Sequence, residues 1–151
     1  MDEEYDLQVL LELREKEKDQ AEQDYADAVA ELNRRESYLE KQKEALQEAI
    51  EKRESEKKRF GEKRDAGKAS PAELAHYRGY IKGLKQDESE IRDEIERARQ
   101  SVDKQRDRVE EARDALSEAT KELKAVERHR EDWEEEQEQI AKRRKSSAMD
   151  D

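Results

Sequence analysis

Cysteine is absent from this 151-residue chain, proline occurs once, histidine twice and glycine four times. Without cysteine there is no disulfide, no thiolate metal site and no thiol nucleophile, which agrees with a reducing compartment. Aromatic residues make up 5% of the chain and the whole hydrophobic set 31%, whereas a globular domain draws nearly half its residues from apolar types. Burial must offset backbone ordering of roughly 1 to 2 kcal/mol per residue, so a round core is excluded. No run approaches the ~18 apolar residues of a membrane-crossing helix. The opening Met1-Asp-Glu-Glu-Tyr-Asp6 is acidic where a secretory signal would be basic and then apolar. The chain is expected in the cytoplasm.

What the sequence does contain is charge: 51% of residues, 33 Lys and Arg against 44 Asp and Glu, net −11. Such a balance also suits disorder, but disordered chains are rich in proline and glycine and lack apolar periodicity. Ala, Glu, Lys, Leu, Arg and Gln dominate here, the composition of long helices and coiled coils. The acidic total argues against nucleic acid as the main partner, because phosphate binding needs a concentrated cationic face. The basic run Lys142 to Lys145 is short and reads as a solvated helix end.

Helix breakers cluster in one window, with Gly61, Gly67, Ser70 and Pro71 between two long segments that are poor in them. This predicts helix over about 4–60, turn over 61–70 and helix over 71–145, one domain spanning 1–151. In Ser70-Pro71-Ala72-Glu73 the serine suits an N-cap, proline the first helical position and Glu73 a capping box. Downstream, a heptad repeat places Leu74, Ile81, Glu88, Ile95, Val102, Val109, Leu116, Leu123, Arg130 and Gln137 at a. The d positions are Tyr77, Leu84, Ile91, Ala98, Gln105, Ala112, Ala119, Val126, Trp133 and Ile140. Sixteen of these twenty are apolar, without a stutter, and the residues between them are mostly charged. In the first segment the stripe runs from Leu7 to Phe60, with ten of sixteen positions apolar. A strict 3.5-residue repeat this narrow is a coiled-coil seam.

A short connection folds the segments back as an all-α antiparallel two-helix coiled-coil hairpin, a long rod. At ~1.5 Å per residue the helices span roughly 85 and 110 Å. Pairing residue 60 with about 72 sets residue i opposite roughly 132 − i, leaving everything past about residue 130, Trp133 and Ile140 included, without an intramolecular partner. Polar seam residues Glu88, Gln105, Arg130 and Gln137 are expected to fix register.

Catalysis has little to work with. His76 and His129 lie far apart on one helix and read as solvated, and the carboxylates alternate with Lys and Arg at ion-pair spacings. No phosphate loop and no zinc spacing is present, so neither a cofactor nor an enzyme is expected. Two patches depart from coiled-coil economy. Tyr77, Gly79, Tyr80, Gly83 and Leu84 form one near the turn, where Tyr80 takes a g position usually held by Glu or Lys. Leu7, Val9, Leu10, Leu11 and Leu13 form the other, too broad for one seam. Leu7 and Leu11 suit the second helix while Val9, Leu10 and Leu13 look elsewhere.

Several stretches carry a family resemblance: Leu13-Arg-Glu-Lys-Glu-Lys-Asp-Gln-Ala21, Ser70-Pro-Ala-Glu-Leu74, Tyr77-Arg-Gly-Tyr-Ile-Lys-Gly-Leu84, Glu127-Arg-His-Arg-Glu-Asp-Trp133 and the acidic close Met149-Asp-Asp151. Together they resemble the FliJ family of flagellar type III export proteins, whose relatives are the YscO-type proteins of injectisomes. The resemblance implies a soluble central stalk of the hexameric export ATPase that also contacts the cytoplasmic domain of the export gate and escorts export chaperones. It implies a place at the cytoplasmic face of the inner membrane, held there by the export apparatus. The ATPase-ring contact then falls on Leu7, Leu10, Leu11, Trp133 and Ile140, and the gate contact on Tyr77, Tyr80 and Leu84. The first-helix half of the gate motif matches poorly, since Tyr38 is followed by Gln42, Ala45 and Ala49 where larger residues are expected. The flagellar branch is the first reading; a YscO-type injectisome stalk, or a structural spacer that homo-oligomerises, is the alternative.

Overall fold

The structure, a computed structural model, describes residues 2–150; Met1 and Asp151, the outer ends of the expected domain and of its acidic close, lie outside the described residues. Two helices account for the fold, α1 (Asp2–Asp65) and α2 (Pro71–Asp150). The chain divides into two units, Met1–Val29 with Arg108–Asp151 and Ala30–Asp107. In each, α1 and α2 pack antiparallel, so the molecule is an all-α helical hairpin.

The turn follows from three residues. Gly67 adopts a positive φ of 68°, a left-handed conformation that glycine alone enters without a Cβ penalty. With it, Lys68 N–H donates to Lys63 O at 3.1 Å and Gly67 N–H to Arg64 O at 3.0 Å, the Schellman pattern that satisfies the last carbonyls of α1. Ser70 then caps α2, its Oγ accepting from Glu73 N–H at 3.1 Å. Glu73 does not complete the capping box; its carboxylate pairs with Lys63 Nζ at 2.5 Å, across the turn.

α1 runs through Gly61 to Asp65, five residues beyond the expected end. An interior helical glycine costs only about 1 kcal/mol relative to alanine, too little to stop an established helix, and the reversal waits for Gly67. The register moves accordingly. In the unit Ala30–Asp107, Phe60 stacks on Tyr77 and Arg35 Nη1 donates to Ser101 O at 3.0 Å. In the other unit Arg14 meets Glu122 at 3.6 Å. Residue i therefore faces about 136 − i, one helical turn beyond the expected 132 − i.

The seam has the predicted phase. All sixteen α1 positions from Leu7 to Phe60 are buried or half-buried, and of the twenty on α2 only Gln137 is exposed. In one unit Leu7, Leu11, Ala21, Leu123 and Val126 are buried; in the other Leu84, Ile95, Ala98 and Val102 are. Glu88, 1% exposed, is the most deeply buried large side chain. Its Oε2 accepts from Arg53 Nε at 2.7 Å while Oε1 has no partner. The Glu88 hydrogen bond, more than the charges beyond it, raises the Arg53 pKa above its ordinary value. Many exposed charges form i,i+3 or i,i+4 pairs such as Arg106–Asp103, Arg113–Glu110 and Lys142–Glu138.

Tyr38 adds an inter-helix bond outside the seam, its hydroxyl donating to Glu94 Oε1 at 2.7 Å. Hydrogen bonds from Tyr38 and then Arg97 hold Glu94 below the ordinary carboxylate value, and the same bond raises the Tyr38 phenol. Hydrogen bonds from Arg34 and Arg35 lower Glu31 in the same way.

Two outcomes follow. Ile95→Ala and Leu123→Ala should each cost about 2 to 4 kcal/mol in urea unfolding, while Leu13→Ala at an exposed position should change stability by less than about 0.5 kcal/mol. For pH, the depressed carboxyls contribute above their unfolded value of 4.5, and that contribution is lost as pH falls through the lower folded value. The raised phenol contributes below 10.0 and loses its contribution as pH climbs through the folded value. Melting temperature measured across pH should decline at both ends, and Tyr38→Phe should flatten the alkaline decline by a few degrees at most.

Candidate functional site

Two surfaces were expected, and each falls inside one unit. The first lies beside the turn. Gly67 and the Ser70 cap bring the last turns of α1 against the first of α2, so that the Phe60 and Tyr77 rings lie 3.9 Å apart at 7° to one another. Tyr80, one turn along α2, is 39% exposed. Phe60, Lys63, Glu73, His76, Tyr77 and Tyr80 line an open groove. Its rim charges are mutually paired, Arg59 with Glu56 and Lys63 with Glu73, so the groove offers aromatic faces rather than net charge. Such faces give a partner large, rigid contact area at low entropic cost.

Of the three expected gate-contact residues, Tyr77 and Tyr80 share this groove. Leu84 is buried in the seam instead, as its d position requires. Phe60, which the resemblance does not mark as a contact, supplies the stacking partner; the expected pairing set it opposite residue 72, and the observed register brings it to Tyr77. Tyr38 is not brought to this groove. It bonds to Glu94, fourteen residues along α2 from Tyr80, or about 21 Å of helix.

The second surface lies in the unit Met1–Val29 with Arg108–Asp151. Leu7 and Leu11 are buried against α2, Leu11 clustering with Leu123 and Val126, and half-buried Leu10 packs on that cluster. Val9 and Leu13, at 47% and 48% exposure, stand four residues apart on one face of α1, as the breadth of the leucine cluster implied. Trp133 is half-buried and lines a shallow depression with Glu3, Arg128, His129, Asp132 and Glu136. It is therefore not in an unpartnered overhang, because the register brings the first turn of α1 beside it. Ile140 lies further along α2 and is half-buried. Of the five expected ring contacts, then, Leu7 and Leu11 are buried while Leu10, Trp133 and Ile140 are half-buried; Val9 and Leu13, from the same apolar stretch as the leucines, are exposed.

His76 and His129 are both exposed, and His129 Nε2 is 4.0 Å from Glu3 Oε1. Among the described residues, no group of three or more His, Asp or Glu side chains could hold a metal ion, and no helix is long and apolar enough to cross a membrane.

A comparison with family models matches residues 2–151 to that described as YscO-like protein. Comparisons with curated proteins and with solved structures give no match. The family match favours the YscO-type alternative over the flagellar first reading. Its coarse role is that of a stalk or spacer in type III secretion, structural and not enzymatic. With the match reaching from the second residue to the last, over a helical hairpin of the kind the resemblance implied, the chain belongs to the YscO-like family.

Proposed function

We propose that the protein is an injectisome stalk of the YscO type. In this reading the unit Met1–Val29 with Arg108–Asp151 enters the ring of the hexameric export ATPase, and the aromatic groove beside the turn meets the cytoplasmic domain of the export gate. Export chaperones are further partners, as the resemblance implies, and the chain works at the cytoplasmic face of the inner membrane through the apparatus that holds it. The observation that carries the reading is the exposed Val9 and Leu13 pair, with Leu10 and Trp133 still partly accessible, in a family of secretion stalks. Exposed aliphatic side chains on a chain with so few hydrophobics cost solubility, and burial in a partner would return it. An effect on ATP hydrolysis is indirect, through preference for one state of the ring.

The variants Val9→Asp/Leu13→Asp and Tyr80→Ala separate the two contacts. The first should weaken binding to the purified cognate ATPase by about tenfold or more and leave gate binding intact; the second should do the reverse. ATPase and gate binding unchanged in both variants, together with a stable dimer in sedimentation whose Trp133 fluorescence is that of a buried ring, would favour the self-associating spacer.

A further inference from the structure

Gly61, Gly79 and Gly83 all lie inside helices within 23 residues of one another, on the two sides of the turn. None has a positive φ, since Gly67 alone does. None is required by packing, because a Cβ at each would meet nothing within 4 Å. Alanine would fit at all three and favour the helix, so this segment carries a weakness that neither its backbone nor its neighbours demand.

The seam is thin over the same stretch. Between residues 54 and 87 Leu84 is the one buried hydrophobic side chain, and the rest of the stripe, including Phe60, Leu74, Tyr77 and Ile81, is half-buried. From residue 91 onward the same unit buries Ile95, Ala98 and Val102. The two stretches meet at Arg53 and Glu88, a polar layer in which one carboxylate oxygen is buried without a partner. An apolar layer there would transmit packing from one side to the other, whereas a half-satisfied ion pair interrupts it.

We propose that residues 54–87 open as a local unit bounded by the Arg53–Glu88 layer, and that opening frees Leu84, Ile81 and the inner face of Tyr77 for the partner that meets the turn. The second clause rests on the gate-contact reading and reconciles it with the burial of Leu84. Local opening below the global unfolding free energy is what few buried apolar contacts and unfavourable helix composition produce. The partner then binds a state already sampled by the free chain, with an affinity set by how often the tip is open.

Hydrogen exchange on the full chain tests this directly. Corrected for intrinsic rates, amides of residues 57–65 and 76–87 should exchange at least about tenfold faster than those of residues 92–106, with the step at Arg53 and Glu88. Gly79→Ala/Gly83→Ala should slow the tip amides by about tenfold and leave 92–106 unchanged. Equal protection on both sides of Glu88, or a slowing spread evenly over both segments, would overturn the proposal. The exchange is read on the chain alone, so its outcome does not depend on whether the export gate is the partner. If it is, the alanine variant should bind the gate's cytoplasmic domain more weakly in proportion to the slowing.

Discussion

Everything in this molecule depends on one narrow contact, the apolar stripe along which each helix covers the other. A chain with 31% hydrophobic residues can afford no second layer, so neither helix has an alternative face to bury. An isolated helix gains little beyond propensity in water. Here the partner helix supplies the missing burial, and Gly67 and the Ser70 cap keep that partner in the same chain. The exposed faces then need only solubility and short-range charge pairs, as their i,i+4 pattern reflects.

Most of the fold was legible because it is written in a period. The phase of the α2 seam was correct at nineteen of twenty positions, and Gln137 fails where the described residues of α1 have run out. The register was not legible to better than one turn. It depended on which glycine ends α1, and composition does not distinguish Gly61, held in ordinary helix, from Gly67, which takes the left-handed φ. That shift also changed the place of Trp133, which the first turn of α1 borders through Glu3.

The candidate site was half legible. Tyr80, Val9 and Leu13 stood out because they are bulky residues off the seam phase, and each is exposed. Leu84 and Leu7 are seam residues by period and contact residues by resemblance, and the period decides where the free chain puts them. The Phe60–Tyr77 stack and the Tyr38–Glu94 bond join residues 17 and 56 apart in sequence, so they depend on the register and no local pattern announces them.

Polar residues in the seam give the pairing its direction. Arg53 finds Glu88 on α2, and Arg35 finds the carbonyl of Ser101. In a parallel pair of identical chains each would face its own copy and meet a like charge. The most direct measurement is a charge-reversal cycle on Arg53 and Glu88, read as melting temperature. Arg53→Glu and Glu88→Arg should each lower it, and the two together should recover most of the loss because the pair is reformed with its ends exchanged. If the two losses simply add, Arg53 and Glu88 do not pair across the hairpin, and the antiparallel packing of α1 on α2 at this contact is contradicted.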